Sequence, residues 1–435
     1  MKVALIHPHD MKYHGEREIM NDVSHVEGYE NFPDLGLLSI APLFGKGWEI
    51  KYIDEDYLAQ NDLARSYLDE NFDLVCITAM NHQAYQAYRI AKHFRTRGIY
   101  TVMGGMHASA LPDEVLENVD TVIVGEGEEA FSEFLKDFVW GKTKRIYRAK
   151  GNADLTLFAS PAFEIVENLE WYSKYPLFAT RGCPRNCDFC CLGEVYGHTY
   201  RKKDPSQVFA EIQNLKKLIP SPFISFADEN MLVDKKWSRQ LANALKPLDI
   251  KWEAYCDISI AEDDELLGLL RESGCVELII GFETVDPRNL EKVEPWKAKK
   301  IKTYGEAIRR IESHEIGVLA CFVVGFDYDD KDTFKKLRDF LCENPVFELD
   351  IAVLTPMPGT RLHSRLRKEG RLFEEKWDDY TWYNVNFSPE NLTPQEIKDG
   401  IKWVFDEYEI MKKAGIKGDL YSKIASRFPD MEGRN

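Results

Sequence analysis

No apolar run in the 435 residues reaches the roughly 20 needed to cross a bilayer, so no transmembrane segment is expected. No leader is expected either, since Met1-Lys2-Val3-Ala4-Leu5-Ile6-His7-Pro8 reads as a short strand rather than a long apolar signal segment. Positive charge is in deficit. With 56 Lys and Arg against 73 Asp and Glu the net charge is −17, which argues against non-specific nucleic-acid binding. The basic runs Arg201-Lys202-Lys203 and Lys297-Ala298-Lys299-Lys300 read as solvated surface. Cysteine is sparse and uneven: of nine, four fall within residues 183–191, which is no secreted disulfide framework. A reducing, cytoplasmic setting is expected.

What is present is enough for two or three cores, with 44% hydrophobic residues in a chain too long for one ordinary domain. Residues 1–150 alternate short apolar runs (Val3–Ile6, Trp48–Ile53, Leu74–Thr78, Tyr100–Met103 and Thr121–Val124) with helical spacing over Leu35–Phe44, Gln83–Phe94 and Glu128–Phe138. That pattern predicts a doubly wound, Rossmann-like sheet whose ligands sit at the carboxyl ends of the strands. Glycines where strand gives way to helix, at Gly104, Gly105, Gly125 and Gly127, would let a large ligand approach the backbone. Seven of the ten histidines (His7, His9, His14, His25, His82, His93 and His107) lie in the first quarter of the chain. Their spacing matches no ligand frame. They read as crevice or locally bonded histidines, with His9 and His107 as candidate ligand contacts. Residues 151–171 read as a linker.

The stretch Arg181-Gly182-Cys183-Pro184-Arg185-Asn186-Cys187-Asp188-Phe189-Cys190-Cys191 governs the second half. Cys183, Cys187 and Cys190 follow C-x3-C-x2-C, short enough for one loop to wrap a single inorganic centre. Taken alone the spacing suits zinc, a structural cluster or chance as well as an open iron–sulfur site. Cys191 reads as a small apolar residue. Strand-like and helical runs then alternate from Leu177 to Leu354, giving six strands and five helices over residues 172–370. Such a count predicts an open, partial (β/α)6 barrel with active groups at strand carboxyl ends. Asp228-Glu229-Asn230 and Glu283 stand at such ends. From 371 to 435 a mainly helical region is expected to cover the barrel, with an aromatic run over residues 377–387. In it Thr393, Pro394 and Glu396 start a helix.

The loop Arg181-Gly182-Cys183-Pro184-x-x-Cys187-x-Phe189-Cys190 resembles the signature of the radical S-adenosylmethionine (radical SAM) superfamily. The resemblance implies a [4Fe-4S] cluster on Cys183, Cys187 and Cys190, whose open iron chelates S-adenosylmethionine for reductive cleavage to a 5'-deoxyadenosyl radical. It further implies Phe189 as an apolar roof, Asp228 and Glu229 beside the methionyl part, Glu283 at the ribose and Gly325 at the adenine. A one-electron donor such as flavodoxin or ferredoxin is implied too. Residues 1–150 are similar to the cobalamin-binding domain of one subfamily. The matching pieces are Pro33 to Leu37, Tyr52 to Asp54, Met103 to His107 and Val124 to Glu128. Gly104, Gly105, His107, Gly125, Glu126 and Gly127 would contact the cofactor. No Asp-x-His-x-x-Gly string occurs, as in relatives that hold cobalamin with cobalt unligated by protein. The turn Pro356-Met357-Pro358-Gly359-Thr360 resembles one of the same subfamily. The activity this implies is cobalamin-dependent C-methylation of an unactivated carbon in a small-molecule or lipid-like substrate. Alternatives are a cobalamin-independent radical oxidoreductase, cyclase or carbon–carbon coupling enzyme, and a non-catalytic iron–sulfur sensor or binding module.

Overall fold

The computed structural model describes residues 1–9, 31–151 and 153–428, so His14 and His25 lie outside the described residues. Two six-stranded sheets organise the chain. The first contains β1 (Lys2–His7), β2 (Glu49–Asp54), β3 (Leu74–Thr78), β4 (Tyr100–Gly104), β5 (Thr121–Val124) and β6 (Ile146–Arg148). All neighbours are parallel, in the order β2-β1-β3-β4-β5-β6. The centre of β1 explains the arrangement: Val3, Ala4, Leu5 and Ile6 are fully buried, so both faces of the strand need cover. On one side Leu37 and Leu38 pack with Phe131 and Phe134. On the other, Ile90, Ala91 and Phe94 of the helix Ala84–Thr96 pack beneath Ala4 and Ile6. This is the doubly wound domain expected from the alternation. The edge strand β6 is an addition. It spans three residues, Ile146-Tyr147-Arg148, too little periodicity to be seen in advance.

In the second half β7 (Tyr175–Leu177) is the first barrel strand, ending where the expected strand began. Thr180–Arg181 (β8) leaves that sheet and pairs antiparallel with Arg201–Lys202 (β9), making a ribbon that brackets the cysteine loop. The barrel continues through β10 (Phe223–Phe226), β11 (Lys251–Cys256), β12 (Cys275–Glu283), β13 (Gly317–Val324) and β14 (Glu348–Val353). The order β14-β13-β12-β11-β10-β7 runs parallel throughout and leaves the barrel open between β7 and β14. Its core holds Phe226, Trp252, Phe282 and Phe322. The C-terminal region is rich in helix. Thr393 and Glu396 form the reciprocal cap of the helix Pro394–Lys413, whose Ile397, Ile401 and Val404 are buried. Ahead of that helix, Trp377 and Tyr380 are buried against the first domain, and Phe387 packs beside Gly325 of the barrel. Among the described residues no helix is long and apolar enough to cross a membrane.

Candidate active site

The cysteine loop is held from three directions. Its entry depends on Gly182, whose φ is +84° and where an added Cβ would sit 2.3 Å from the Thr199 carbonyl oxygen of the adjoining ribbon. The carboxyl end of β10 supplies the second support. Asp228 accepts the Ala179 N–H at 3.1 Å and both the N–H and hydroxyl of Thr180. Glu229 Oε2 accepts the Gly182 N–H at 2.8 Å, and Asn230 reaches Cys183 Sγ at 3.9 Å. The third support comes from the helix Arg361–Lys368: the Leu362 N–H donates to the Asp188 carbonyl at 2.9 Å, and Arg361 reaches the Asn186 carbonyl. Phe189 packs edge-on against Phe326, 5.9 Å between centroids.

Cys183, Cys187 and Cys190 are partly buried, and burial pushes all three thiols up from their usual range. A cationic centre that takes the thiolates would release those protons on binding.

Beside this loop lie carboxylates with different surroundings. Burial lifts Asp228 to about 6 and Glu229 to about 7. Glu229 Oε1 is buried with no hydrogen-bond partner, and a carboxylate left in that state fits a cationic ligand group. Glu283 ends β12 at a bulge, with φ +63°, and its Oε1 meets Lys297 Nζ at 2.7 Å. Lys297 also meets Glu294 at 2.8 Å. Burial opposes its charge, but the two carboxylates outweigh that and keep the ammonium protonated. Gly325 follows β13 at φ +115°, and its N–H donates to Asp329 Oδ2 at 2.8 Å.

The basic runs are only in part the solvated surface expected of them: Lys202 and Lys299 are exposed, but Lys203 and Lys297 are buried and Arg201 is partly so. Lys297 is 5% exposed. Lys203 is equally buried and meets both oxygens of Glu211 at 2.7 Å. Arg201 reaches Glu126 at 2.7 Å. Each charge faces a carboxylate that only the fold brings to it, which composition cannot reveal.

On the first domain, Gly104 and Gly105 close β4. Gly105 has φ +93°, and a Cβ there would meet Thr78 Oγ1 at 2.8 Å. Gly125 and Gly127 flank Glu126 at the start of the helix Gly127–Val139. Glu126 faces the barrel domain: it meets Arg181 at 3.1 Å as well as Arg201, and Glu128 pairs with the same Arg181. The Arg181 guanidinium also lies over the rings of Phe158, Phe178 and Tyr196. His107 is fully buried, with Nε2 2.7 Å from the Tyr88 hydroxyl and its ring 5.4 Å from that of Trp377. His9 pairs with Asp56.

His7, Asp54 and Asp56 offer ligand atoms within 4.8 Å of one another. The Gln83 amide argues against a metal there. Its oxygen accepts the Met80 N–H at 2.9 Å, while its nitrogen donates to the Pro8 carbonyl at 2.8 Å and to His7 Nε2 at 2.9 Å. An accepting Nε2 leaves the proton on Nδ1, the atom a metal would need.

The two domains meet across a small, mainly apolar cavity of about 20 Å³ lined in part by Met80, Asn81, Met106, Cys191, Met357 and Trp382. Cys191 packs with the Met357 and Tyr380 cluster, as a small apolar residue would. No site role was assigned from the sequence to Arg181, Asn230, Lys297 or Asp329; Arg181 and Asn230 appeared only within the strings around Cys183 and Asp228, Lys297 only within a basic run, and Asp329 not at all.

Comparison with known proteins fits this geometry. The family model described as "B12 binding domain" matches residues 26–135, and that of the "Radical SAM superfamily" matches 177–341. The chain thus carries a radical SAM domain preceded by a B12-binding domain. It is similar to bacteriochlorophyllide d C-12(1)-methyltransferase of Chlorobaculum tepidum, 28% identical, covering 87% of this chain and 84% of that protein. It is also similar to anaerobic magnesium-protoporphyrin IX monomethyl ester cyclase of Cereibacter sphaeroides, 26% identical over 82% of this chain and 63% of that one. The solved structure of the cobalamin-dependent S-adenosylmethionine radical enzyme OxsB, with aqua-cobalamin and S-adenosylmethionine bound, has the same fold. Its TM-score is 0.71 at 14% identity, covering 98% of this chain and 70% of that one.

Proposed function

We infer that this protein is a radical enzyme that methylates an unactivated carbon of a small or lipid-like substrate, using a [4Fe-4S] cluster, S-adenosylmethionine and cobalamin. The observation that carries the reading is the shared cavity. Met106, next to Gly105 beyond β4, and Cys191, next to the last cysteine of the loop, line one apolar space. When bound, these cofactors supply reductive cleavage of a sulfonium to a carbon radical and a carrier for a methyl group.

The chain's own residues bind, orient and exclude water. Cys183, Cys187 and Cys190 would hold three irons and leave the fourth for S-adenosylmethionine. Glu229 Oε1, buried and unpartnered, would take the ligand's ammonium. Glu283, steadied by Lys297, would accept the ribose hydroxyls. Phe189, packed on Phe326, would shield the centre, and the Gly325 turn would border the adenine. On the first domain the glycines at 104, 105, 125 and 127 would let cobalamin approach the strand ends. His107 is engaged by Tyr88, while the adjoining cavity wall is largely thioether and indole. We expect the enzyme to work in the cytoplasm with a donor of the flavodoxin or ferredoxin class.

The test is anaerobic reconstitution with cobalamin offered, followed by mass analysis of bound cofactors and cleavage products. The expected products are methionine, S-adenosylhomocysteine and 5'-deoxyadenosine. Absence of bound cobalamin would overturn methylation. 5'-Deoxyadenosine without S-adenosylhomocysteine would favour a radical cyclase or oxidoreductase, the reading supported by the cyclase relative. Ligand binding without cleavage would leave a sensor or binding module.

A further inference from the structure

Asp228 and Glu229 brace the backbone of the cysteine loop, but the next residue reaches a sulfur. The side-chain oxygen of Asn230 accepts the Asp257 N–H at 3.1 Å, which settles which end of the amide is which. Its nitrogen then donates one hydrogen to Asp257 Oδ2 at 2.9 Å and directs the other towards Cys183 Sγ, 3.9 Å away. Asn230 is only 4% exposed, so water competes little for that second hydrogen.

Asp257 is itself fixed. Its Oδ1 accepts the Ser259 N–H at 2.9 Å, and Oδ2 accepts Arg185 Nη2 at 2.9 Å. The Arg185 guanidinium in turn lies 3.7 Å from the centroid of the Trp296 ring. Four side chains from separate segments thus serve one N–H aimed at one sulfur. Backbone N–H groups serve Cys183 (from Arg185) and Cys190 (from Leu192 and Gly193), and the charges of Glu294 and Lys297 lie near Cys187; the side-chain amide is directed at Cys183.

We propose that Asn230 is a positioning residue that raises the reduction potential of the cluster by donating its amide hydrogen to the Cys183 sulfur, with Asp257, Arg185 and Trp296 holding the amide in line. The inference rests on the four-iron reading given above. Reduction adds one electron, taken from an external one-electron donor, and that charge spreads onto the sulfurs. A hydrogen bond to a ligand sulfur stabilises the reduced form more than the oxidised one. Because this donor is a side chain remote in sequence, it can be replaced without changing any residue of the loop.

The experiment is a mediated dithionite titration of the reconstituted full-length protein, read by electron paramagnetic resonance, with iron content measured on every sample. At the wild-type midpoint, Asn230→Leu is expected to lower the reduced-to-oxidised ratio about tenfold, equivalent to about 59 mV for a one-electron couple. Asn230→Ser, which shortens the side chain and withdraws the donor, should shift it in the same direction. Arg185→Leu should give a smaller shift of the same sign. A ratio within twofold of wild type at full iron content overturns the proposal. So does a variant pair that keeps the wild-type circular dichroism spectrum but takes up no iron, since Asn230 would then serve assembly. If wild type itself holds no four-iron cluster, the functional reading falls with it; a wild-type cluster with an unshifted variant sinks the tuning role alone.

Discussion

Replacing Glu126 with leucine tests whether the two domains are locked by charge. The Glu126 carboxylate is 2% exposed and meets Arg201 at 2.7 Å and Arg181 at 3.1 Å. Without it Arg181 keeps Glu128, whereas Arg201 is left donating to the neutral carbonyls of Ala153 and Tyr196. Removing one partner of a buried pair strands the other charge and costs about 3–5 kcal/mol. At 1.4 kcal/mol per factor of ten, that multiplies the population of opened domains by roughly 10²–10³. Limited proteolysis under native conditions reads that population when closing outpaces cleavage, and urea unfolding reads the free energy directly. In a double-mutant cycle, adding Arg201→Met should restore about 1 kcal/mol or more, because the stranded guanidinium is gone. Acid should weaken the same lock. Burial opposes ionisation of Glu128, but Arg181 prevails and holds its pKa below the usual value. Its contribution is present above the unfolded pKa and is lost as pH falls through the lower, folded one. A Glu126→Leu protein that unfolds within 0.5 kcal/mol of wild type, with unchanged proteolysis, would refute this account of the interface.

Gly182→Ala should place a methyl group against the Thr199 carbonyl and displace the loop, so that iron uptake on reconstitution falls to less than a tenth of wild type while far-UV circular dichroism is retained. Lys297→Met leaves Glu283 and Glu294 buried without their cation; equilibrium dialysis of S-adenosylmethionine should show at least tenfold weaker binding, with Lys297→Arg partly restoring it. Burial raises Asp329 to about 6, so between about pH 4 and 6 the folded state binds more protons than the unfolded one. The stability this contributes is complete below the unfolded pKa and is lost as pH rises through 6. Asp329→Asn should flatten that part of the melting-temperature profile.

Much of the fold was legible because parallel strands buried on both faces must be apolar. The run Val3 to Ile6 and its counterparts in the barrel announced themselves for that reason. The edge strand β6 was not legible, being short and paired on one side. The cysteine loop could be read because Cys183, Cys187 and Cys190 lie within eight residues of one another. Its supports could not. Lys297 looks like any surface lysine until the bulge before Glu283 and the turn at Glu294 bring two carboxylates to it. Asn230 stood in a string already noted, yet its reach to Cys183 depends on Asp257, a residue from the next strand's end.

The packing of Trp377 over His107 has a consequence for how the molecule is assembled and dissected. Trp377 donates from its indole to Glu114 at 2.7 Å, so a residue near the end of the chain completes a wall of the domain that begins it. During synthesis the ribosome releases that first domain long before its last piece exists. A fragment cut near residue 150 would leave the Tyr88, His107 and Glu114 group open to water. Excising the N-terminal half for separate study should therefore yield a protein that exposes an aromatic-binding notch, and a peptide spanning residues 371–390 supplied in trans should fill it.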